Sequence, residues 1–411
     1  MYSRPLHLLN RERLADAWKN SRDSQPKAGK PGIDSISAQT FAANLDQNIG
    51  SIATEIKGGK YQFRALRAVF IEKPNSTKFR IICVPTVRDR LVQRTIANHI
   101  HQKNTLPIYR SNSYAYIQDR GVGAAIKDAV AYRSELNWVV KTDIQSFFDR
   151  IPREYLKERL ARSMKRNSLI PYLFQIIDSE ARIRKIDQWK AKTTGIEQGR
   201  GIRQGMPLSP TLANLCLSEF DRHIEQSNIR MIRYSDDIIL FFPNRSEALL
   251  GLNQVKEELS KIALEIPEIG NSSKTELCTP DQPVDFLGRS IVYRSRSNAY
   301  EAIIGKSQIN KILNNLKTDY RYNSTKTKDM NISKFMQNLN QSINSYLGIY
   351  KDAANFIDFR ARLGAEVDKI TRELFVELFG TEAISQLDER KRQFIGIPKI
   401  NIEIDTGIEA I

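Results

Sequence analysis

Cysteine is scarce in this chain of 411 residues: Cys83, Cys216 and Cys278 stand alone, with no metal-ligand spacing among them. Isolated thiols of this kind argue for a reducing compartment and against a zinc site. His99 and His101 have no further His or Cys beside them, so they read as helix-surface residues and not as a ligand pair. No apolar run approaches the length of a membrane span, and the N-terminus lacks a signal-peptide core, so a cytoplasmic protein is expected. Internal repeats and low-complexity tracts are missing too, which sets solenoids aside. Negative charge is in deficit, with 47 Asp+Glu against 63 Lys+Arg and a formal charge of +16. That excess favours a polyanionic partner, because every phosphate neutralised releases condensed counterions. Nucleic acid is the first candidate. An acidic membrane surface is second, and weaker, because the cations do not line one amphipathic helix.

A chain this long can bury a substantial core and hold roughly two or three subdomains. The polar stretch from Ser21 to Asp34 reads as a loop. Phe41, Leu45, Ile49 and Ile52 follow at helical spacing. Leu66 to Ile71 and Phe79 to Val84 read as two strands joined by the turn Lys73-Pro74-Asn75-Ser76-Thr77. The pattern is helical from Arg90 to Ile100, and Trp138-Val139-Val140 leads as a strand into Asp143. Helix is expected from about Arg153, over most of the basic stretch Leu169 to Lys192, and again between Pro207 and Glu225. Ala248, Leu252, Val255, Leu259 and Ile262 mark a further amphipathic helix. Short strands are expected around Thr275–Cys278 and Asp285–Val292, and the final 110 or so residues read as helical. The middle is thus an α+β layer and the end a helical bundle.

Within that layer, Tyr234-Ser235-Asp236-Asp237 is the most informative stretch. Apolar strands flank it on both sides, so the acids fall at or beside a hairpin tip. Adjacent carboxylates repel unless a cation holds them. Asp143 likewise ends an apolar strand, and a neighbouring strand in the same sheet could bring it opposite the tip. Two Mg²⁺ ions held there would serve an in-line displacement, one lowering the pKa of an attacking 3′-hydroxyl and one steadying a leaving pyrophosphate.

Further motifs follow one another in order. Gly32-Ile33-Asp34 precedes a helix; Val69 to Pro74 leads to Phe79 to Pro85 and then to Asp89-Arg90-Leu91-Val92-Gln93. Lys141-Thr142-Asp143-Ile144-Gln145-Ser146-Phe147-Phe148-Asp149 comes next, then Gly201-Ile202-Arg203-Gln204-Gly205-Met206-Pro207-Leu208-Ser209-Pro210, and finally Phe286-Leu287-Gly288. From about Gly29 through at least Gly288 the chain resembles the reverse transcriptases, specifically the bacterial group similar to the group II intron-encoded enzymes. The resemblance implies a right-hand polymerase: an N-terminal extension (1–60), fingers (61–135), a ferredoxin-like palm (136–298, with a helical insertion at about 154–198) and an α-helical thumb (299–411). It implies Asp143, Asp236 and Asp237 as catalytic metal ligands, the Ile144 carbonyl adding another. Lys73 and Arg80 would grip the triphosphate. Phe148 would block a ribose 2′-hydroxyl and so favour dNTPs, one of Phe147 and Phe148 being core because strand neighbours face opposite ways. Gln204 would contact the nucleotide, Gly205 would let the backbone approach template and primer, and Lys274 would sit near the pyrophosphate, as a general acid. Phe286-Leu287-Gly288 resembles the primer-grip turn.

The segment from Ser113 to Gly121 departs from the Gly-Phe-Arg-Pro usual in intron-type enzymes. The DNA-binding and zinc-containing endonuclease modules of mobile introns are not found either. The expectation is a stand-alone RNA-directed DNA polymerase, copying a dedicated noncoding RNA into DNA in antiphage defence, with no membrane partner and an oligomeric state left open. Viral RNA-dependent RNA polymerases usually carry Gly-Asp-Asp and a small polar residue where Phe148 stands. Retron motifs outside the palm are not found, and diversity-generating enzymes typically depart from Gln-Gly-x-x-x-Ser-Pro. Two alternatives stay open: untemplated or protein-primed DNA synthesis, and a maturase-like RNA binder relying on the basic segment Arg182 to Arg203.

Overall fold

The spacing of Phe41, Leu45, Ile49 and Ile52 predicts one helix, and the computed structural model of the chain contains two, split at Asn44. Asn44 is the C-cap of the first and the N-cap of the second. Asn suits such a break because its side chain competes for backbone hydrogen bonds. The structure describes residues 7–25, 29–73, 76–165, 167–270, 273–382, 388, 390 and 391. Pro74 and Asn75 of the expected fingers turn, and residues 1–6 and 392–411 of the expected extension and thumb, lie outside the described residues. The chain divides into two units, residues 1–125 with 136–277 and residues 126–135 with 278–411.

The first unit opens with α1 (Arg11–Lys19), α2 (Ala38–Ala43) and α3 (Leu45–Gly58). The loop expected from Ser21 contains a 3-10 turn, Arg22–Ser24, that buries Asp23. β1 (Leu66–Glu72) and β2 (Phe79–Val84) form an antiparallel hairpin in the register Ile71↔Arg80. Thr86 caps α4 (Val87–Lys103) by accepting from the Asp89 amide, so the helix starts three residues before Arg90. His101 is not a surface residue: its ring nitrogens meet the Tyr109 hydroxyl at 2.8 Å and Thr211 Oγ1 at 3.0 Å.

After α5 (Val122–Glu135) come β3 (Trp138–Asp143), α6 (Phe147–Arg150), α7 (Arg153–Met164) and α8 (Ile170–Ile177). The predicted helix over 169–192 stops there. Ala181–Arg182 (β4) instead adds a parallel strand to β1, and helix returns only as a 3-10 turn, Lys185–Asp187, that runs into α9 (Gln188–Lys192). Strand pairing wins because the free edge of β1 offers partners, with the Leu66 amide donating to the Glu180 carbonyl at 3.0 Å. Then follow α10 (Ser209–Gln226), β5 (Arg230–Tyr234), β6 (Asp237–Phe242), α11 (Arg245–Ser260) and β7 (Glu276–Cys278). The sheet order is β5-β6-β3-β7, with α7 to α10 connecting β3 to β5 and α11 connecting β6 to β7. This is the βαββαβ arrangement of a ferredoxin-like layer. Ile238 to Phe242 are buried without interruption, the pattern of a strand covered on both faces.

In the second unit, the strand predicted at 285–292 is a hairpin, β8 (Val284–Phe286) and β9 (Arg289–Arg294). It folds at Leu287 and Gly288, both at positive φ (48° and 75°), as a two-residue hairpin turn requires. β10 (Ala299–Ile303) pairs with β9, so helix begins only with α12 (Lys306–Asp319), followed by α13 (Ile332–Tyr350) and α14 (Phe356–Phe379). Leu339, Ile343, Leu363 and Val367 build their shared core at the predicted spacing. Arg133 of α5 is fully buried in this unit, donating to the Gln282 carbonyl at 2.6 Å and lying over the Tyr300 ring at 4.8 Å. None of the three cysteines forms a disulfide, and all three are buried. Among the described residues, no helix is long and apolar enough to cross a membrane.

Candidate active site

β5 and β6 are joined by two residues, Ser235 and Asp236, with Tyr234 paired to Asp237 across the turn. Ser235 holds the left-handed conformation (φ 62°) that closes so tight a hairpin. On the other edge of β6, Asp143 of β3 is the register partner of Asp237. The Ile144 amide then donates to the Asp236 carbonyl at 3.0 Å. The apolar flanks predicted the hairpin; the β3–β6 register brings the third acid to its tip.

A buried guanidinium holds the tip in place. Arg233 is fully buried and donates to both carboxylate oxygens of Asp221, at 2.7 and 2.5 Å. Its remaining donors reach Asn214 Oδ1 (3.2 Å), Ser113 Oγ (2.8 Å) and the Ser235 carbonyl (3.0 Å) in the turn itself. Burial pushes the Asp221 carboxyl up despite the guanidinium beside it. The Ser113 segment runs alongside, with the Arg233 amide donating to Asn112 O at 2.7 Å and the Tyr114 amide to Arg233 O at 3.0 Å.

The three acids strain against each other. Burial pushes the Asp237 carboxyl up, Asp236 and Asp143 push it further, and Lys274 and Lys141 pull it back, leaving it at about 6. Asp143 is buried; one carboxylate oxygen has no hydrogen-bond partner and the other pairs with the ammonium of Lys274. Lys274 therefore sits on one of the three acids. Among the described residues, no three His, Cys, Asp or Glu side chains are gathered closely enough to ligate a metal. The chemistry of the set nonetheless fits a hard divalent cation: oxygen donors only, one buried oxygen unsatisfied, and one carboxyl whose charge its neighbours oppose.

A cleft of about 570 Å³ opens beside the tip, lined by Asp236, Asp237, Phe148, Gln204 and Arg80 among others. Phe147 is buried in the core and Phe148 half-buried at the cleft, as expected, although both lie on the short helix α6 and not on a strand. Gly201 (φ 72°) lies against the Phe148 and Asp149 carbonyls, where a Cβ would come within 2.6 Å of both, and the Ile202 amide donates to Phe148 O at 2.8 Å. Gly205 (φ 105°) makes its close approach to β2: a Cβ there would lie 2.7 Å from the Cys83 carbonyl. That packing accounts for the glycine without invoking template or primer. Lys73 is exposed at the end of β1 and does not line the cleft. Burial raises the Asp149 carboxyl, while Arg203, Lys73 and Arg80 pull it back, which places Lys73 and Arg80 within electrostatic reach of that turn.

The family profile described as "Reverse transcriptase (RNA-dependent DNA polymerase)" matches residues 71–291. The chain belongs to the reverse transcriptase family. Its mixed α+β architecture is accordingly that of a right-hand polymerase, and the family implies divalent metal ions and nucleic-acid substrates. Protein YkfC of Escherichia coli K12 is 28% identical over 224 residues, 52% of this chain and 55% of YkfC. The group II intron-encoded protein LtrA of Lactococcus lactis subsp. cremoris is 26% identical over 267 residues, 62% of this chain and 42% of LtrA. The chain thus spans about half the length of the curated relatives it matches. Among solved structures, telomerase from Candida albicans in complex with a TWJ fragment of telomeric RNA aligns over 86% of this chain and 69% of that one, at 12% identity and a TM-score of 0.45.

Several residues of this reverse transcriptase site escaped the sequence reading. Arg233 lies within an apolar flank of the hairpin, where a charge inside a buried strand implies a buried partner. Arg90 and Arg94 also line the cleft, and both are held by Asp23, at 2.9 and 2.5 Å. Burial alone would raise the Asp23 carboxyl, and the two guanidiniums outweigh it. Tyr116, at positive φ, lines the cleft from the segment that departs from the family pattern. No sequence signal marked it.

Proposed function

We propose that this chain extends a primer 3′-hydroxyl with dNTPs on an RNA template. The observation that carries the proposal is the register Asp143↔Asp237 beside the Tyr234–Asp237 turn, opening on the cleft lined by Phe148. Asp143, Asp236 and Asp237, with the Ile144 carbonyl, would hold two Mg²⁺ ions. When bound, these supply a lowered pKa at the attacking hydroxyl and charge compensation at the leaving pyrophosphate. Phe148 lines the cleft together with Gln204 and Arg80, and its ring would exclude a 2′-hydroxyl there. Lys73 lies outside the cleft wall, at the fingers tip, and reaches a triphosphate by closure of β1 and β2. Lys274 pairs with Asp143; were that carboxylate to hold a divalent ion, the ammonium would be released from it and could serve the pyrophosphate. The division into N-terminal extension (1–60), fingers (61–135), palm (136–298) and thumb (299–411) belongs to the same proposal.

The finer reading is a dedicated noncoding RNA as template and antiphage defence as the role. It rests on the resemblance of the ordered motifs to stand-alone group II-like bacterial enzymes, with the +16 charge supporting RNA as the partner. Primer extension on a defined RNA, with dNTPs and Mg²⁺, tests the core of it. The complementary DNA is expected from the parent chain and none from Asp236→Ala with Asp237→Ala. A product that matches no supplied or copurifying RNA would instead establish untemplated synthesis. For the role, phage plating should fall in cells expressing the parent chain and recover with the double variant. Protection that survives the double variant would favour the maturase-like reading.

A further inference from the structure

The insertion between α8 and α10 carries charge and exposed apolar surface that the cleft does not use. Residues 181–200 contain six cations and two acids. Both acids are already paired: Asp187 with Arg184 (2.7 Å) and Lys190 (3.5 Å), and Glu197 with Arg200 (3.8 Å). Arg182, Lys185 and Lys192 are exposed, and among the described residues no ion pair engages them. Between these cations, Ile186 is 74% and Trp189 58% exposed. Large apolar side chains this open to water, set among unpaired charge, mark a surface for a partner.

Trp189 is exposed but not loose. Its ring meets Phe79 edge-on, with centroids 5.5 Å apart and planes at 89°, and the Lys190 ammonium lies 5.5 Å from both rings. The Phe79 amide donates to Thr193 Oγ1 at 3.2 Å, and β4 pairs with β1. The insertion is thereby fastened to the hairpin that carries Arg80. Lys185, Ile186, Trp189 and Lys192 recur at three- and four-residue spacing, which sets them on one side of the helical run. None of them lines the cleft.

A pinned indole flanked by cations without partners is the construction that binds single strands, one base stacking while neighbouring phosphates meet the ammonium groups. We propose that Lys185, Ile186, Trp189 and Lys192 form a second nucleic-acid site that takes single-stranded RNA or DNA, with a base on Trp189 and flanking phosphates on Lys185 and Lys192. Charge complementarity favours this occupant over an apolar protein surface, which would leave the cations uncompensated. A duplex is disfavoured because its base faces are stacked away from the indole. The inference rests on the polymerase reading only in taking nucleic acid as the polyanion, and its test requires no synthesis.

The test titrates the Asp236→Ala, Asp237→Ala chain with a 15-nucleotide oligouridylate carrying a 5′-fluorescein, reading affinity from the anisotropy of the label and base stacking from tryptophan emission. Trp18 is buried and Trp138 half-buried, so the quench should come from Trp189 and vanish in Trp189→Phe. Affinity should fall at least about fivefold in Trp189→Ala and be largely kept by Trp189→Phe, whose ring still stacks. Lys185→Gln with Lys192→Gln should lower the log–log salt slope by about 1.4, the value for two phosphate contacts on a single strand. These two substitutions leave the Trp189–Phe79 contact intact, so the test stands even if Trp189→Ala misfolds. Unchanged affinity and slope would overturn the proposal. So would a concentration-dependent dimer in sedimentation that Trp189→Ala dissociates without changing RNA affinity, because the patch would then serve a second copy of the chain. Primer extension by the parent chain judges the polymerase reading separately.

Discussion

Replacing Arg233 by Met should separate the stability of the β5-β6-β3-β7 layer from primer extension. The substitution removes a fully buried guanidinium from Asp221 and takes the only side-chain donor described for the Ser235 carbonyl. Breaking a buried pair by removing one partner costs about 3–5 kcal/mol, because the other charge stays buried without compensation. Against a total stability of roughly 5–15 kcal/mol, that loss shows plainly as a lower urea midpoint. Arg233→Met with Asp221→Leu removes both charges. Such paired replacements range from neutral to about 4 kcal/mol stabilising, less about 1 kcal/mol for each of Asn214 and Ser113 left without its partner. The double variant should therefore regain most of the urea midpoint. Primer extension should not return with it, since no described side chain then donates to the Ser235 carbonyl and the adjacent acids lose their placement. Recovery of stability and extension together would refute the positioning role. A single-variant cost below about 1 kcal/mol would refute the buried-charge argument itself.

Phe148→Val should raise the use of rNTPs relative to dNTPs by roughly 10- to 200-fold, the range for one misfitted group in a shaped pocket; competition assays with an unchanged ratio would remove Phe148 from the sugar pocket. Asp237, at about 6, is raised above its unfolded value, so between about pH 4 and 6 the folded chain holds a proton that the unfolded chain has released. Stability in metal-free buffer should therefore fall as pH rises through that window and level off above it, and Asp237→Asn should flatten the curve. Adding Mg²⁺ at pH 6 should release about half a proton per chain and at pH 8 almost none; equal release at both would show that Asp237 is not the titrating ligand. Gly205→Ala should cost roughly 1–3 kcal/mol through its positive φ alone, with the Cys83 carbonyl clash in addition. A variant as stable as the parent by urea unfolding would contradict that packing.

Much of the site was legible because its chemistry is local. Adjacent carboxylates between apolar strands announce a hairpin tip, and Asp143 at the end of another apolar strand announces its neighbour. Strand alternation also set Phe147 against Phe148, with the right outcome from the wrong backbone, since the pair lies on α6. The misread segments are those where distant partners decide. Residues 178–184 leave helix because β1 has an open edge, and Ala299–Ile303 leaves helix because β9 does.

Sequence by itself determined the family, the order of its motifs, the positive charge and the identity of the three acids, because each resides in residue type and short spacing. Tertiary structure decided how those acids are held. Arg233 finds Asp221 twelve residues earlier and Ser113 from another segment, while Arg90 finds Asp23 across sixty-seven residues. A buried charge must be compensated wherever the fold brings a partner, and no local pattern records where that will be. Lys274 resting on Asp143 and Gly205 resting on β2 are likewise products of packing.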